Sequence, residues 1–221
     1  MTLAVLKTAL PPQALIFDIG RVIVRIDPER VFTPIAAALK NSAIPDNQDK
    51  PMPDQIWTMI QSDPRWRDWQ EGRMTPQQWH QHITGRLRIP LSFADFCAAW
   101  NRALDPQPIF DDELFAKLGT RCRLGLLSNT DPLHSEYLEQ HFSFIRHFPA
   151  RIYSCGVGAS KPAAAIYQAV LRAVDVPATA ALYIDDVAEY AEAARQLGLD
   201  AICFEGPAQL TRELSRRGIS I

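Results

Sequence analysis

The chain has 221 residues, 47% of them hydrophobic and 22% charged, and a net charge of −2; that length is at the upper edge of what one core supports, so a domain carrying a sizeable insertion is expected. Basic residues are scattered among acidic ones, which excludes a polyanion-binding face and nucleic acid as a partner. No apolar run approaches the ~20 residues that span a bilayer, and MTLAVLKTALPPQ at the start has no small-residue cleavage site, so no membrane partner and a cytoplasmic location are expected. Cys97, Cys122, Cys155 and Cys203 show no CxxC or Cys/His spacing and read as free buried thiols, in keeping with a reducing compartment.

In chain order, the first element is a short continuous apolar run ending in a polar residue, Ala14 to Asp18, which reads as a buried parallel strand. From about Pro28 to Pro108 the pattern is helical and no strand is evident. All five tryptophans (Trp57, Trp66, Trp69, Trp79 and Trp100) fall in this stretch, with Met52, Met59 and Met74, and suggest a separate small aromatic core. Within it, Lys40 to Asp54 reads as a mobile loop, Gly72 as a turn, and Thr75 with Pro76 as the cap and first residue of a helix. Four more apolar runs follow: Arg123 to Ser128, Ala150 to Ser154, Ala181 to Asp186 and Asp200 to Glu205. A helical stretch opens at Pro162 between the second and third of these. The alternation predicts an α/β fold with a doubly wound parallel sheet.

Ligands of open parallel sheets bind at the carboxyl ends of the strands. Those ends supply Asp18, Ser128 with Asn129 and Thr130, Ser160 with Lys161, and the adjacent pair Asp185 and Asp186. Any one of them alone could be a turn or capping residue. Together they comprise a carboxylate nucleophile, a hydroxyl, a lysine and a carboxylate pair, which is the set phosphoryl transfer requires. Two adjacent buried carboxylates also repel unless a cation or proton lies between them.

LIFDIGRVIV, LLSNT, SKPAAAIY and YIDD resemble, in order, the four motifs of the haloacid dehalogenase superfamily. The insertion falls where that superfamily carries its helical cap. The resemblance implies a Rossmann-like core of residues 1–27 and 109–221 with a helical cap of residues 28–108. In FDIG, SNT and EGRMT the chain is most similar to the bacterial α-D-glucose-1-phosphate phosphatase type. That similarity implies a magnesium-dependent phosphatase acting on a small phosphorylated metabolite, such as a sugar 1-phosphate, as a monomer or homodimer. By the same resemblance Asp18 attacks phosphorus, Ser128 bonds a phosphoryl oxygen, and Asn129 contacts substrate or supports its loop. Lys161 neutralises the transferring group. Mg²⁺ is held by Asp18, the Gly20 carbonyl, Asp185 and Asp186, with the direct ligand of the pair left open.

Three positions depart from the superfamily pattern. Gly20 replaces the usual second aspartate, so the general acid is missing; a good leaving group, another proton donor such as His134, or slow turnover could each account for that. His134 itself reads more simply as a solvated surface residue. Arg21 either clamps an anion or points to solvent. Tyr190 stands where an Asp or Asn often supports the metal. Trp66, Trp69, Arg65 and Arg73 are the candidate specificity residues, although cap core for the tryptophans and solvent for the arginines are the simpler expectations. A 2-haloacid dehalogenase and a non-catalytic phospho-ligand-binding protein are the alternatives.

Overall fold

The computed structural model describes residues 10–33 and 53–220. Most of the N-terminal stretch read for a leader and most of the predicted loop from Lys40 lie outside the described residues, as does Met52.

Five parallel strands form one sheet in the order β3-β2-β1-β4-β5. They are β1 (Ala14–Phe17), β2 (Arg123–Ser128), β3 (Ala150–Tyr153), β4 (Ala181–Asp185) and β5 (Asp200–Cys203). Every predicted strand is present, ending at most two residues early. Continuous apolar sequence is what a strand covered on both faces requires. Successive side chains alternate between faces. Leu15, Phe17, Leu126, Leu182 and Ile184 enter one core cluster, while Ala14, Ile16, Ala181 and Tyr183 enter the other.

Helices cover both faces. Between β1 and β2 come α1 (Pro53–Gln61), α2 (Trp66–Gln70), α3 (Pro76–Leu87), α4 (Phe93–Asn101) and α5 (Asp112–Gly119). The chain continues through α6 (Pro132–His141), α7 (Ser154–Val157), α8 (Ala164–Val174), α9 (Ala188–Gln196) and α10 (Pro207–Arg216). Thr75 caps α3 in a full capping box with Gln78, and Pro76 is at its first turn, as the sequence predicts. Helix α8 begins two residues later than predicted, because Ser160–Ala163 closes a turn in which the Ala163 N–H bonds the Ser160 carbonyl at 2.9 Å.

Helices α1 to α4 build a third core around Trp69, Trp79 and Trp100, with Trp69 and Trp79 stacked at 5.5 Å and 6°. Met74 joins this core, whereas Met59 is exposed. The connections on either side of these helices run side by side. Asp27 N–H bonds Ala103 O at 2.8 Å, Asp105 N–H bonds Arg25 O at 3.0 Å, and Ile26 bridges Leu104 antiparallel. All four cysteines are free, but only Cys122 is buried; Cys97 in the middle of α4, Cys155 in α7 and Cys203 at the end of β5 are half-buried. Among the described residues no helix is long and apolar enough to cross a membrane.

Candidate active site

β1 and β4 are hydrogen-bonded neighbours, so their carboxyl ends bring Asp18 and the Asp185–Asp186 pair together. The Asp18 N–H extends the ladder by one bond, to Ile184 O at 2.9 Å. One carboxylate oxygen from each of the three aspartates lies within 4.8 Å of the others. Lys161 arrives from the loop before α8 with its side chain 2% exposed. Its Nζ lies 2.9 Å from Asp18 Oδ1 and 2.7 Å from Asp185 Oδ2, and it also donates to Leu127 O at 3.3 Å. Burial, reinforced by the charge of Asp185, pushes the Asp18 carboxyl above its ordinary range, and Lys161 pulls it part of the way back.

The two adjacent aspartates are in different situations. Asp185 is fully buried and saturated: Oδ2 accepts from Lys161 and from the Tyr183 hydroxyl, and Oδ1 accepts from the Val187 N–H at 2.8 Å. Asp186 turns toward the cavity. Its Oδ2 pairs with Arg21 Nε at 2.7 Å, while its Oδ1, among the described residues, is buried with no hydrogen-bond partner. Burial raises the Asp186 pKa despite Arg21. Three carboxylates therefore face two cationic side chains, and a divalent cation fits both the surplus charge and the orphaned oxygen.

Arg21 neither points freely to solvent nor stands as a bare anion clamp. It sits at φ +60°, with its N–H bonded to Val24 O at 2.7 Å in the tight turn after β1, and that turn aims its guanidinium at Asp186. Gly20 in the same turn lines the cavity. Ser128 is buried at the end of β2 and also lines it. Asn129 supports the loop: its Oδ1 accepts from the Lys161 N–H at 2.7 Å and its Nδ2 donates to Lys161 O at 3.1 Å. The Tyr190 ring lies under the Lys161 ammonium, 5.1 Å from its centroid, which stabilises the buried cation.

One expectation is corrected here, that for His134, while Trp69, Arg65 and Arg73 take the simpler of their two readings. His134 is half-buried at the wall of the cavity and not a solvated surface residue: Nδ1 is 3.0 Å from Asp131 Oδ2 and Nε2 is 3.0 Å from Trp100 O. Both ring nitrogens face acceptors and the ring stacks on Trp100, so it ties α6 to α4 and is engaged on both sides. Trp69 is fully buried in the cap core and does not reach the cavity. Arg65 and Arg73 line a different, outer groove with Asp68 and His82, and Arg73 is spent on Asp68 and Glu71. Trp66 does line the cavity, with Trp57, which the sequence reading did not single out. Trp66 and Trp69 are three apart on a five-residue helix, too short for a periodic signal to separate their faces.

The cavity holds about 380 Å³ and lies between the strand ends and the helical insertion. Two other participants were given no role from the sequence, although Glu71 opens the EGRMT stretch. Tyr183 is two residues before Asp185 on the same strand face. Glu71, in the turn after α2, accepts from Ser160 Oγ at 2.6 Å.

A doubly wound parallel sheet with a lysine and three carboxylates at its carboxyl edge, beneath an inserted set of helices, defines an α/β protein with a covered, carboxylate-lined site at the ligand-binding edge of its sheet. The haloacid dehalogenase-like hydrolase family model matches residues 13–198, and the chain belongs to that family. Among solved structures it is similar to a HAD family enzyme from Bacteroides thetaiotaomicron, at 21% identity and TM-score 0.76 over 92% of this chain and 98% of that one. The same enzyme in complex with magnesium and inorganic phosphate matches at 22% identity and TM-score 0.74, over 88% and 95%. L-2-haloacid dehalogenase from Xanthobacter autotrophicus, with chloropropionic acid covalently bound, matches at 21% identity and TM-score 0.58, over 92% and 82%.

Proposed function

We propose that the protein is a magnesium-dependent phosphomonoester hydrolase with Asp18 as nucleophile and residues 28–108 as its cap. The carrying observation is the Asp186 Oδ1, buried and unpartnered, beside Asp18 and a saturated Asp185. Asp18, the Gly20 carbonyl and Asp186 would hold Mg²⁺ directly, with Asp185 fixing Lys161. The relative from Bacteroides thetaiotaomicron, crystallised with magnesium and inorganic phosphate, supports this reading. When bound, the cation supplies positive charge against the incoming phosphate and keeps Asp18 ionised.

The protein's own residues account for the remaining steps. An Asp18 carboxylate oxygen attacks phosphorus as the bond to the leaving oxygen breaks, giving an aspartyl-phosphate; water then attacks that phosphorus and frees Asp18 and phosphate. Lys161 and the Ser128 hydroxyl bind phosphoryl oxygens as charge spreads over them. Gly20 supplies no acid and His134 is engaged on both nitrogens, so the leaving oxygen takes its proton from solvent. That favours substrates with a good leaving group, such as an anomeric sugar phosphate. Trp57 and Trp66 offer apolar walls to such a ring, and Gln61 and Gln70 offer amides to its hydroxyls.

A panel of sugar phosphates and an aryl phosphate, with and without Mg²⁺, tests the assignment on wild type and Asp18→Asn. Phosphate release that needs Mg²⁺ and disappears in Asp18→Asn is expected. Equal release by both proteins would remove Asp18 from the mechanism. Dehalogenation of 2-chloropropionate that survives EDTA would favour the haloacid dehalogenase reading instead.

A further inference from the structure

Glu71 ends α2 and belongs to the cap, yet it is only 4% exposed. Its Oε1 accepts from Ser160 Oγ at 2.6 Å and from Arg67 Nε at 2.9 Å, and its Oε2 accepts from Arg73 Nη1. Burial pushes the carboxyl upward, but these three donors outweigh it and hold the pKa at about 2. A carboxylate this strongly held is ionised at any working pH, and its bond to the neutral Ser160 hydroxyl is charge-assisted.

The residues around Glu71 seat the same turn in the core. Ser154 Oγ, fully buried, lies 2.7 Å from the Gln70 carbonyl and 3.0 Å from that of Thr130, and it accepts from the Thr130 N–H at 2.9 Å. A Cβ on Gly72 would come within 2.2 Å of the Cys155 carbonyl oxygen, so backbone lies directly on backbone there. The turn Gln70–Gly72 thus fits a socket formed by the loop after β2, the start of α7 and the residue before Lys161.

Lys161 has a long side chain, yet its tip is shared between Asp18 at 2.9 Å and Asp185 at 2.7 Å. Its main chain is held by Asn129 on the core side. One residue earlier, Ser160 is held by Glu71 from the cap side.

We infer that Glu71 is a positioning residue for the reaction: by holding Ser160 it makes the placement of Lys161 conditional on the cap turn being docked. The inference rests on the reading of Lys161 as the residue that meets the transferring phosphoryl group. It assigns Glu71 a role in turnover with no contact to the substrate. With the cap turn undocked, the lysine loop loses one of its two anchors and the site is incomplete. Displacing a catalytic group by about 1 Å can cost up to ~10² in rate.

The test uses the full chain with Mg²⁺ and an aryl phosphate. Glu71→Ala and Ser160→Ala are each expected to lower kcat about tenfold with KM within about twofold, and the double variant to be no slower than the slower single one. Glu71→Gln, which keeps an acceptor oxygen at the same reach, should recover most of the loss. A residue that only stabilised the fold would lower the melting temperature without this kcat-specific, non-additive pattern. Independently of turnover, amide hydrogen exchange at residues 158–163 should quicken in Glu71→Ala, a substitution 89 positions away from its partner. Exchange there that matches wild type, or kcat losses that multiply in the double variant, overturns the inference. Should wild type hydrolyse no phosphomonoester, the phosphatase reading fails, and the exchange comparison still decides whether Glu71 holds the lysine loop.

Discussion

Replacing Gly72 by alanine puts a Cβ 2.2 Å from the carbonyl oxygen of Cys155, at a φ of +70°. The left-handed conformation costs a non-glycine residue about 1 kcal/mol. The contact is a second and separate cost, since its partner is main chain and cannot rotate away. Relieving it requires the turn to lift by about an ångström, given an ordinary carbon–oxygen contact of roughly 3.2 Å. Such a movement breaks the bond of Ser154 to Gln70 and the charge-assisted bond of Ser160 to Glu71, together worth about 3 kcal/mol. The total is on the order of 4 kcal/mol, which at ~2–4 °C per kcal/mol for a chain of this size lowers the melting temperature by roughly 10 °C. A thermal scan followed by near-ultraviolet circular dichroism reads the shift, and steady-state kinetics at low temperature reads the activity of the folded variant. A melting temperature within about 2 °C of wild type together with unchanged kcat would refute the claim that this turn is seated on the core.

Other outcomes follow from the same site. At Gly20 the backbone lies outside the left-handed region and a Cβ would meet only Ile26 Cγ1 at 3.5 Å, so Gly20→Asp should fold normally. It should speed hydrolysis of alkyl phosphates about tenfold, less than the ~10² to 10⁴ of a positioned acid because no partner orients it, and change anomeric phosphates much less; equal gains on both would undo the leaving-group argument. Arg21→Ala removes an exposed guanidinium from Asp186. Such a pair is worth up to ~1 kcal/mol, so the Mg²⁺ concentration giving half-maximal activity should fall about threefold; a rise would show that Arg21 assists the cation. Burial lowers the His134 pKa, but Asp131 more than offsets it and the net shift is upward, while Asp131 itself is lowered. The stability His134 contributes is therefore full below its unfolded pKa of about 6.5 and is lost as pH rises through the raised folded value. The melting-temperature gap between wild type and His134→Gln should be wider near pH 6 than near pH 9, roughly either side of that transition. A constant gap would mean that folding leaves the proton affinity of the ring unchanged.

The sheet was legible because buried parallel strands are written as unbroken apolar runs, and the residue where each run turns polar is the one delivered to the ligand edge. That logic located Asp18, Lys161, Asp185 and Asp186 and the structure brings all four together. It could not tell Asp185 from Asp186, because the difference lies in partners supplied from elsewhere: Lys161 for one and Arg21 for the other. His134 reads as a surface residue on a helix of weak amphipathicity, and only the packing of α4 on α6 covers it. Glu71 was out of reach for the same reason. An acidic residue beside a turn glycine looks solvated until the loop carrying Ser160 is folded against it.

The pairing of Arg25–Asp27 with Ala103–Asp105 has a consequence for how such a chain can change. Because the outgoing and incoming strands lie shoulder to shoulder, the two ends of everything between them are almost at one point. The helical insertion is therefore a cassette on a two-ply stem. At the stem a short turn would bridge the gap its excision leaves, although Asp131 and Ser160 would then lose their partners Trp100 and Glu71. The stem also resists splaying and yields most readily by twisting, so the insertion should pivot over the strand ends more easily than it lifts from them.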